Sequence, residues 1–198
     1  MAQVRRSTHE RREEIAETAL RIIAEHGITA LTVASLAKAV GLSGGALYRH
    51  FPSTDAILEA VAERAVRTLQ TSMPDPSLPP LAWLERFVEG RARAVAGGVA
   101  RIIMSEQIAK AMPGPALRTL EGAVKGSFAG IERAIREGQD QGVIRRDVPA
   151  RHLVPMVVGS VQLLALAHAG EPLSGLVETE RVWPTLRTLL TPPKGADR

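Results

Sequence analysis

The residues with the clearest potential for chemistry lie between positions 43 and 50, where small and polar side chains follow one another. Hydroxyl, phenol, guanidinium and imidazole groups can all hydrogen-bond a phosphate, and an arginine can also bind the edge of guanine through two hydrogen bonds. Small residues at the N-terminal end of a helix let its backbone come close to a duplex. We therefore expect contacts with DNA from Ser43, Gly44, Gly45, Ala46, Tyr48, Arg49 and His50.

Two short helices are predicted to hold this segment in place. Thr32 is a good N-cap for a helix that runs through Val40, and Ser43 can cap a second helix that runs to about Phe51. Gly41 lies between them, where a tight turn favours a residue without a Cβ. The apolar residues with the spacing of a shared seam are Leu36, Ala37, Val40, Leu42, Leu47 and Phe51. This arrangement predicts a helix-turn-helix, whose second helix enters the major groove of DNA.

The rest of the chain has the periodicity of helices. Ser7 and Glu10 have the spacing of a capping box in front of a helix that ends at Gly27, and a fourth helix is predicted over residues 54–72. Four prolines within residues 73–80 mark a boundary. Further helices are predicted over residues 81–97, 100–112, 115–140, 150–169 and 175–190. The predicted fold class is all-α, with an N-terminal three-helix domain that contains the helix-turn-helix and a larger helical C-terminal domain.

The composition excludes several classes of protein. The chain has 198 residues, no cysteine and a net charge of +4. Without cysteine there is no disulfide and no thiolate metal or redox site, and a cytoplasmic location is expected. The apolar stretch over residues 153–169 is short for a membrane span and is interrupted by polar residues, so we expect a buried helix and no membrane. No glycine-rich phosphate loop, nucleophile elbow or His-Glu-x-x-His motif is present, so we predict no enzymatic activity, metal or cofactor.

Residues 15–61 resemble the DNA-binding domain of the TetR/AcrR family of transcriptional regulators. The resemblance is carried by Ile15, Ala19, Gly27, Thr32, Val33, Leu36, Ala37, Val40, Gly41, Leu42, Ser43, Leu47, Tyr48, His50, Phe51 and Leu58. It implies DNA contacts, mostly with phosphates, at Thr32, Ser43, Gly45, Tyr48 and His50. Many members have lysine at the positions of Gly44 and Thr54, so we expect weaker binding and a flatter salt dependence here. Arg5 and Arg6 are either a solvated tail or an arm that contacts the phosphates or the minor groove.

The C-terminal domain is expected to bind a partner subunit. Residues 150–169 are apolar nearly all round, and a helix of that kind must be covered on every side, so one face should meet a second copy of the chain. The resemblance implies the same homodimer. The residues predicted for the dimer interface are Leu153, Val157, Val161, Leu164, His168 and Leu186.

The resemblance also implies a cavity for a small-molecule effector. Few charges occur in the helices that would enclose it, so we expect an apolar or weakly polar effector. The predicted lining residues are Trp83, Phe87, Met104, Gln107, Ile108, Phe128 and Gln162. Residues of these types at helical spacing are also ordinary core.

The resemblance divides the chain into functional segments. These are an N-terminal arm with the helix-turn-helix domain (1–53), a connecting helix (54–72), an effector-binding and dimerisation domain (73–191) and a disordered tail (192–198). The predicted function is a ligand-responsive repressor that binds a palindromic operator in double-stranded DNA as a homodimer. Two alternatives stay open: a DNA-binding activator that needs no ligand, and a helical small-molecule-binding module whose helix-turn-helix is only structural.

Overall fold

Helices and one short turn of 3-10 helix at Ile28–Ala30 make up the regular structure of the described residues. The computed structural model describes residues 7–168, Gly175 and residues 177–193. Its helices are α1 (Thr8–His26), α2 (Val33–Val40), α3 (Gly44–His50), α4 (Thr54–Thr71), α5 (Pro80–Val95), α6 (Val99–Met104), α7 (Glu106–Ala111), α8 (Gly114–Asp140), α9 (Ala150–His168) and α10 (Thr179–Leu190). The all-α prediction is confirmed.

The capping box at the start of α1 forms as the sequence predicts. The Ser7 hydroxyl accepts a hydrogen bond from the Glu10 N–H at 3.2 Å, and the Glu10 carboxylate accepts one from the Ser7 N–H at 2.7 Å. Each side chain thus satisfies a backbone donor that the first turn of a helix leaves without a partner. Gly27 ends the helix with φ at 83°.

The predicted helix over residues 100–112 is two helices, α6 and α7. Ser105 takes an extended conformation between them, and its hydroxyl accepts a hydrogen bond from the Ile108 N–H at 3.3 Å. The apolar periodicity continues across this residue, so periodicity alone did not reveal the break. Serine favours an N-cap over a helix interior because its side chain bonds the backbone locally.

Contacts between Cα atoms divide the chain into two compact units. One comprises the described residues up to Thr68 together with Gly97–Gly122, and the other comprises Leu69–Ala96 and the described residues from Ala123 onward. The sequence division at residues 73–80 assigned α6 and α7 to the C-terminal part, whereas the contacts group them with α1.

The contact between α1 and α6 explains why α6 belongs to the first unit. Gly98, just before α6, has φ at +111°, and an ideal Cβ there would lie 2.4 Å from the Cβ of Ala24. The two backbones therefore approach more closely than any side chain at position 98 would permit. A hydrogen bond at 2.9 Å from the Arg101 guanidinium to the Ala24 carbonyl adds to this contact.

The second unit is built around α9. In the described residues, α9 is the one helix long and apolar enough to cross a membrane by length and composition. It packs against α5 and α10, as a core helix does. The fully or nearly fully buried side chains of this unit include Trp83, Leu84, Val88, Ile131, Ile135, Ile144, Val157 and Leu190.

An ordered turn connects α8 to α9. Ile144 is fully buried, and an ideal Cβ at Gly138 would lie 2.5 Å from its Cδ1 atom, so only glycine leaves room for this side chain. The Gln139 side chain donates hydrogen bonds of 2.8 Å to the carbonyls of Arg145 and Val148. This turn contains the Gly-Val-Ile-Arg-Arg-Asp sequence of residues 142–147.

Candidate nucleic-acid interface

The seam between α2 and α3 is filled with apolar side chains. Residues with at most 5% exposure are Leu36, Ala37, Leu47 and Phe51, whereas Val40 and Leu42 are half-buried. Gly41 has φ at 70° and ψ at 36°, the left-handed conformation that ends α2 and directs the chain into α3. Because the apolar side of α3 faces this seam, its other side points away from it.

Two hydroxyl residues cap the helices of this pair. Thr32 Oγ1 accepts a hydrogen bond from the Ser35 N–H at 3.0 Å, and Ser43 Oγ accepts one from the Ala46 N–H at 3.2 Å. Both predicted caps are confirmed. A hydroxyl that accepts a bond in a cap keeps its hydrogen as a donor, and Thr32 gives that hydrogen to Ser35 Oγ at 3.0 Å.

The outer side of α3 presents polar side chains without intramolecular partners. Tyr48 is 50% exposed, and Arg49 is also exposed. No hydrogen bond or ion pair involves either side chain within the part of the chain that the structure describes. Gly45 is exposed, while Gly44, Ala46 and His50 are half-buried. The phenol and guanidinium are therefore free to bind a ligand outside the chain, such as a phosphate or a base edge.

Arg12 of α1 fixes the end of α3, a role that the sequence analysis missed. Its guanidinium donates a hydrogen bond to the His50 carbonyl and lies 4.2 Å from the centroid of the Phe51 ring. A cation at the C-terminal end of a helix also matches the helix dipole. The partly buried His50 ring has its Nδ1 atom enclosed without a hydrogen-bond partner. The signal in the sequence was an arginine in the first predicted helix, to which we assigned no role.

Acidic residues of α1 form ion pairs with arginines of α4 within the first unit. Glu13 accepts hydrogen bonds at 2.7 and 2.8 Å from Arg67 of α4, and Arg64 of α4 lies 3.2 Å from Glu17. These ion pairs tie α1 to α4. They are partly exposed, so each contributes little to stability, although together they fix the relative position of the two helices.

The predicted effector residues lie in different places. Met104, Gln107 and Ile108 line an open groove of about 420 Å³ in the first unit, with Ile23 and Ile28 opposite. In the second unit, the rings of Trp83 and Phe87 are stacked in the core with centroids 5.3 Å apart. Also in that unit, Phe128 is 42% exposed and Gln162 is half-buried. The seven residues therefore do not line one common site: three line the groove of the first unit, and the other four belong to the second unit.

The predicted dimer residues lie mostly inside the second unit. His168 is exposed, but the exposed fraction is 7% or less for the other five, which are Leu153, Val157, Val161, Leu164 and Leu186. Side chains that fill the core of their own unit have little surface left for a partner. The exposed apolar side chains of α9 and α10 are Met156, Leu163 and Leu189.

Two further predictions concern the N-terminal arginines and metal binding. Arg5 and Arg6 lie outside the described residues. In the remaining, described chain, no group of three His, Cys, Asp or Glu residues is placed to hold a metal ion.

Comparison with known proteins identifies the helix-turn-helix segment. Residues 15–61 match the family model described as bacterial regulatory proteins of the tetR family. A segment of 66 residues is 42% identical to the nucleoid occlusion factor SlmA of Haemophilus ducreyi, and the match covers 33% of each chain. The chain therefore matches only about a third of the length of this curated relative.

Two other matches extend over most of the chain. Over 159 residues this chain is 24% identical to the HTH-type transcriptional repressor DhaR of Mycobacterium sp. strain GP1. The match covers 76% of this chain and 78% of DhaR. The crystal structure of AibR in complex with isovaleryl coenzyme A and operator DNA has a TM-score of 0.75 and 19% identity. It covers 92% of this chain and 99% of that chain, and at this identity the likeness shows the fold.

Proposed function

We propose that this chain, which belongs to the TetR family of bacterial regulatory proteins, is a cytoplasmic repressor that binds a palindromic operator as a homodimer and leaves it when a small molecule binds. The observation that carries the proposal is the side of α3 that faces away from the α2–α3 seam. It exposes Tyr48 and Arg49, which have no hydrogen-bond or ion-pair partner among the described residues, within the segment that matches the family. In a helix-turn-helix, this side of the second helix contacts the major groove.

The homodimer is supported by the outward side of α9. Met156 is 56% exposed and Leu163 is 38% exposed, and their separation of seven residues corresponds to about two helical turns on one face. Gly159 and Ser160 lie between them and are small enough for a second helix to approach closely. On α10, Leu189 is 53% exposed. We infer that the partner packs against these positions rather than against the buried residues that the sequence suggested.

Release by a ligand requires that the ligand prefer one conformation of the dimer. A molecule that binds both conformations equally well shifts nothing, however tightly it binds. The relative DhaR is named as a repressor, and AibR has been crystallised with an acyl-coenzyme A and operator DNA on the same fold. These names support repression and response to a small molecule here.

The proposal is tested by selecting bound sequences from genomic DNA fragments with the purified full-length protein. We expect a two-fold symmetric site whose affinity falls as the salt concentration rises, because phosphate contacts release counterions. Two recognition helices of a dimer should read half-sites about 10 base pairs apart, or a multiple of that spacing.

The Tyr48→Ala variant tests the site. Losing one hydrogen bond in each of two subunits should cost roughly 2 kcal/mol, about a thirtyfold rise in Kd. Lys125→Ala is the matched control, because it removes an exposed polar side chain from α8. Unchanged operator affinity in Tyr48→Ala, with normal folding by circular dichroism, would remove α3 from the interface. A protein that selects no sequence even at low salt would refute DNA binding altogether.

A further inference from the structure

Arg91 is a buried cation without an acidic partner. Its exposed fraction is 3%, and no ion pair joins it to a carboxylate within the described residues. Burial alone lowers the pKa of Arg91 to about 10. A charged side chain removed from water is normally paired with an opposite charge, because desolvation is costly. This arginine therefore lacks the group that usually accompanies a buried guanidinium.

The hydrogen bonds of Arg91 are incomplete. Nη2 donates to the Leu69 carbonyl at 2.8 Å and to the Met73 sulfur at 3.0 Å, and the buried Nε has no acceptor. A thioether sulfur is a weak acceptor. A carboxylate can accept two parallel hydrogen bonds from one guanidinium, which is the geometry that arginine binds best.

Arg91 continues a row of two aromatic side chains on α5. Trp83, Phe87 and Arg91 are each four residues apart and lie on one side of the helix. The Trp83 and Phe87 rings are stacked at an angle of 9°, and the guanidinium carbon of Arg91 lies 4.9 Å from the centroid of Phe87. The indole Nε1 of Trp83 is also buried without an acceptor. Two buried donors that have no acceptor among the described residues thus lie on the same side of α5.

Met73 is the movable member of this group. It is half-buried and lies in the loop between α4 and α5, next to Gly130 of α8. An ideal Cβ at position 130 would lie 2.9 Å from the Met73 methyl carbon and 3.2 Å from the Trp83 ring. Methionine is unbranched and has three rotatable bonds, so its side chain can change position at small cost.

A purely structural role for Arg91 accounts for only part of this arrangement. Leu69 lies in the last turn of α4, where carbonyls lack helical partners and a cation is favourable. The Ser72 hydroxyl already donates to the same carbonyl at 3.3 Å. Capping therefore explains the bond from Nη2, but it does not explain why Nε and the Trp83 indole are enclosed without acceptors.

We propose that the cluster formed by Met73, Trp83, Phe87 and Arg91 is the effector site, and that its ligand is an amphipathic anion. The carboxylate, or a similar acidic group, pairs with Arg91 in place of the Met73 sulfur, and the apolar body lies against the aromatic row. This inference rests on the proposed ligand response. It replaces the apolar or weakly polar effector expected from the sequence with an acidic one.

The test compares carboxylates with alcohols of the same length. Hexanoate, octanoate and decanoate, with the matching alcohols, are titrated into the full-length protein by calorimetry without DNA. We expect each carboxylate that binds to do so more tightly than its alcohol. The preference should fall by at least about tenfold in Arg91→Met. It should remain in Arg93→Met, which removes an exposed arginine from the same helix.

A second variant and a spectroscopic measurement keep the test independent of any folding defect in Arg91→Met. Met73→Ala should bind the carboxylates more tightly, because no side chain has to be displaced. In arginine-labelled protein, the Nε–H resonance of Arg91 should move on addition of carboxylate and stay in place with alcohol. Equal binding of acid and alcohol, or absence of carboxylate binding, would overturn the inference. Because DNA is omitted, failure of operator binding would instead refute the proposed function and leave this site intact.

Discussion

Replacing Gly44 with lysine should add a phosphate contact to the proposed interface. Gly44 is the first residue of α3, and many members of the family have lysine at this position. The structure has room for the side chain, because an ideal Cβ would lie 3.6 Å from Val33 Cγ1, an ordinary van der Waals distance. The substitution also removes a glycine from a helix, which favours the helical state.

The size of the effect follows from counterion release. Each added contact with B-form DNA changes the slope of log K against log salt by about −0.9, so a dimer with two new lysines should change it by about −1.8. A fourfold rise in salt, from roughly 50 to 200 mM, should therefore weaken the variant about twelvefold more than the natural protein. At low salt the variant should bind more tightly.

The assay is fluorescence anisotropy of the selected operator at several salt concentrations. Gly122→Lys is the control, because Gly122 is an exposed helical glycine of α8 and no atom lies within 4 Å of its ideal Cβ. This control adds the same net charge on α8 instead of α3. If both variants change the slope equally, the effect is one of net charge. An unchanged slope in Gly44→Lys would mean that the start of α3 does not face the phosphates.

Three other substitutions test the remaining parts of the reasoning. Met156→Glu should raise the dimer dissociation constant at least about tenfold in sedimentation experiments, because the interface would bury an unpaired carboxylate; an unchanged constant would place the interface elsewhere. Ser43→Ala should lower the free energy of unfolding by about 1 kcal/mol in urea, because it removes the cap on the Ala46 N–H; no loss would contradict the capping role. Gly98→Ala should lower the free energy of unfolding by about 3 kcal/mol, because the substitution combines backbone strain with a clash against Ala24. A smaller loss would show that α6 can shift.

The parts of the structure that depend on local interactions were predictable from the sequence. Ser7, Thr32 and Ser43 are caps whose partners lie three residues away, so the spacing alone identifies them. The turn at Gly41 is likewise local, since it requires a left-handed backbone between two apolar helices. The helix-turn-helix was therefore predicted nearly residue by residue.

Tertiary contacts account for most of what was missed. The grouping of α6 with α1 depends on the close approach of Gly98 to Ala24, and 74 positions in sequence separate these residues, so no local pattern reveals it. The proposed dimer face of α9 could not be predicted from the sequence for a different reason. A helix that is apolar nearly all round has no polar side to show which face is covered by its own unit, so Leu153 could not be distinguished from Met156.

The burial of Arg91 has a signal in the sequence that we overlooked. Its spacing from Trp83 and Phe87 places it on the apolar side of α5, and a charge on the apolar side of an amphipathic helix is unusual. From the sequence we assigned no role to this arginine. The structure is needed to show that it is buried without a carboxylate.

The position of Arg91 also links ligand binding to α4. In its C-terminal half, α4 is tied to α1 through the ion pair of Arg67 with Glu13, and in its last turn the Leu69 carbonyl accepts the bond from Arg91. A ligand carboxylate that takes the place of the Met73 sulfur would bind the same Nη2 and would therefore also compete with that carbonyl. Hydrogen bonds to charged groups contribute about 1.5–3 kcal/mol, which is the range of coupling free energies found between allosteric sites. Exchange of this one bond would therefore be large enough to make the ligand prefer the conformation in which the end of α4 is released.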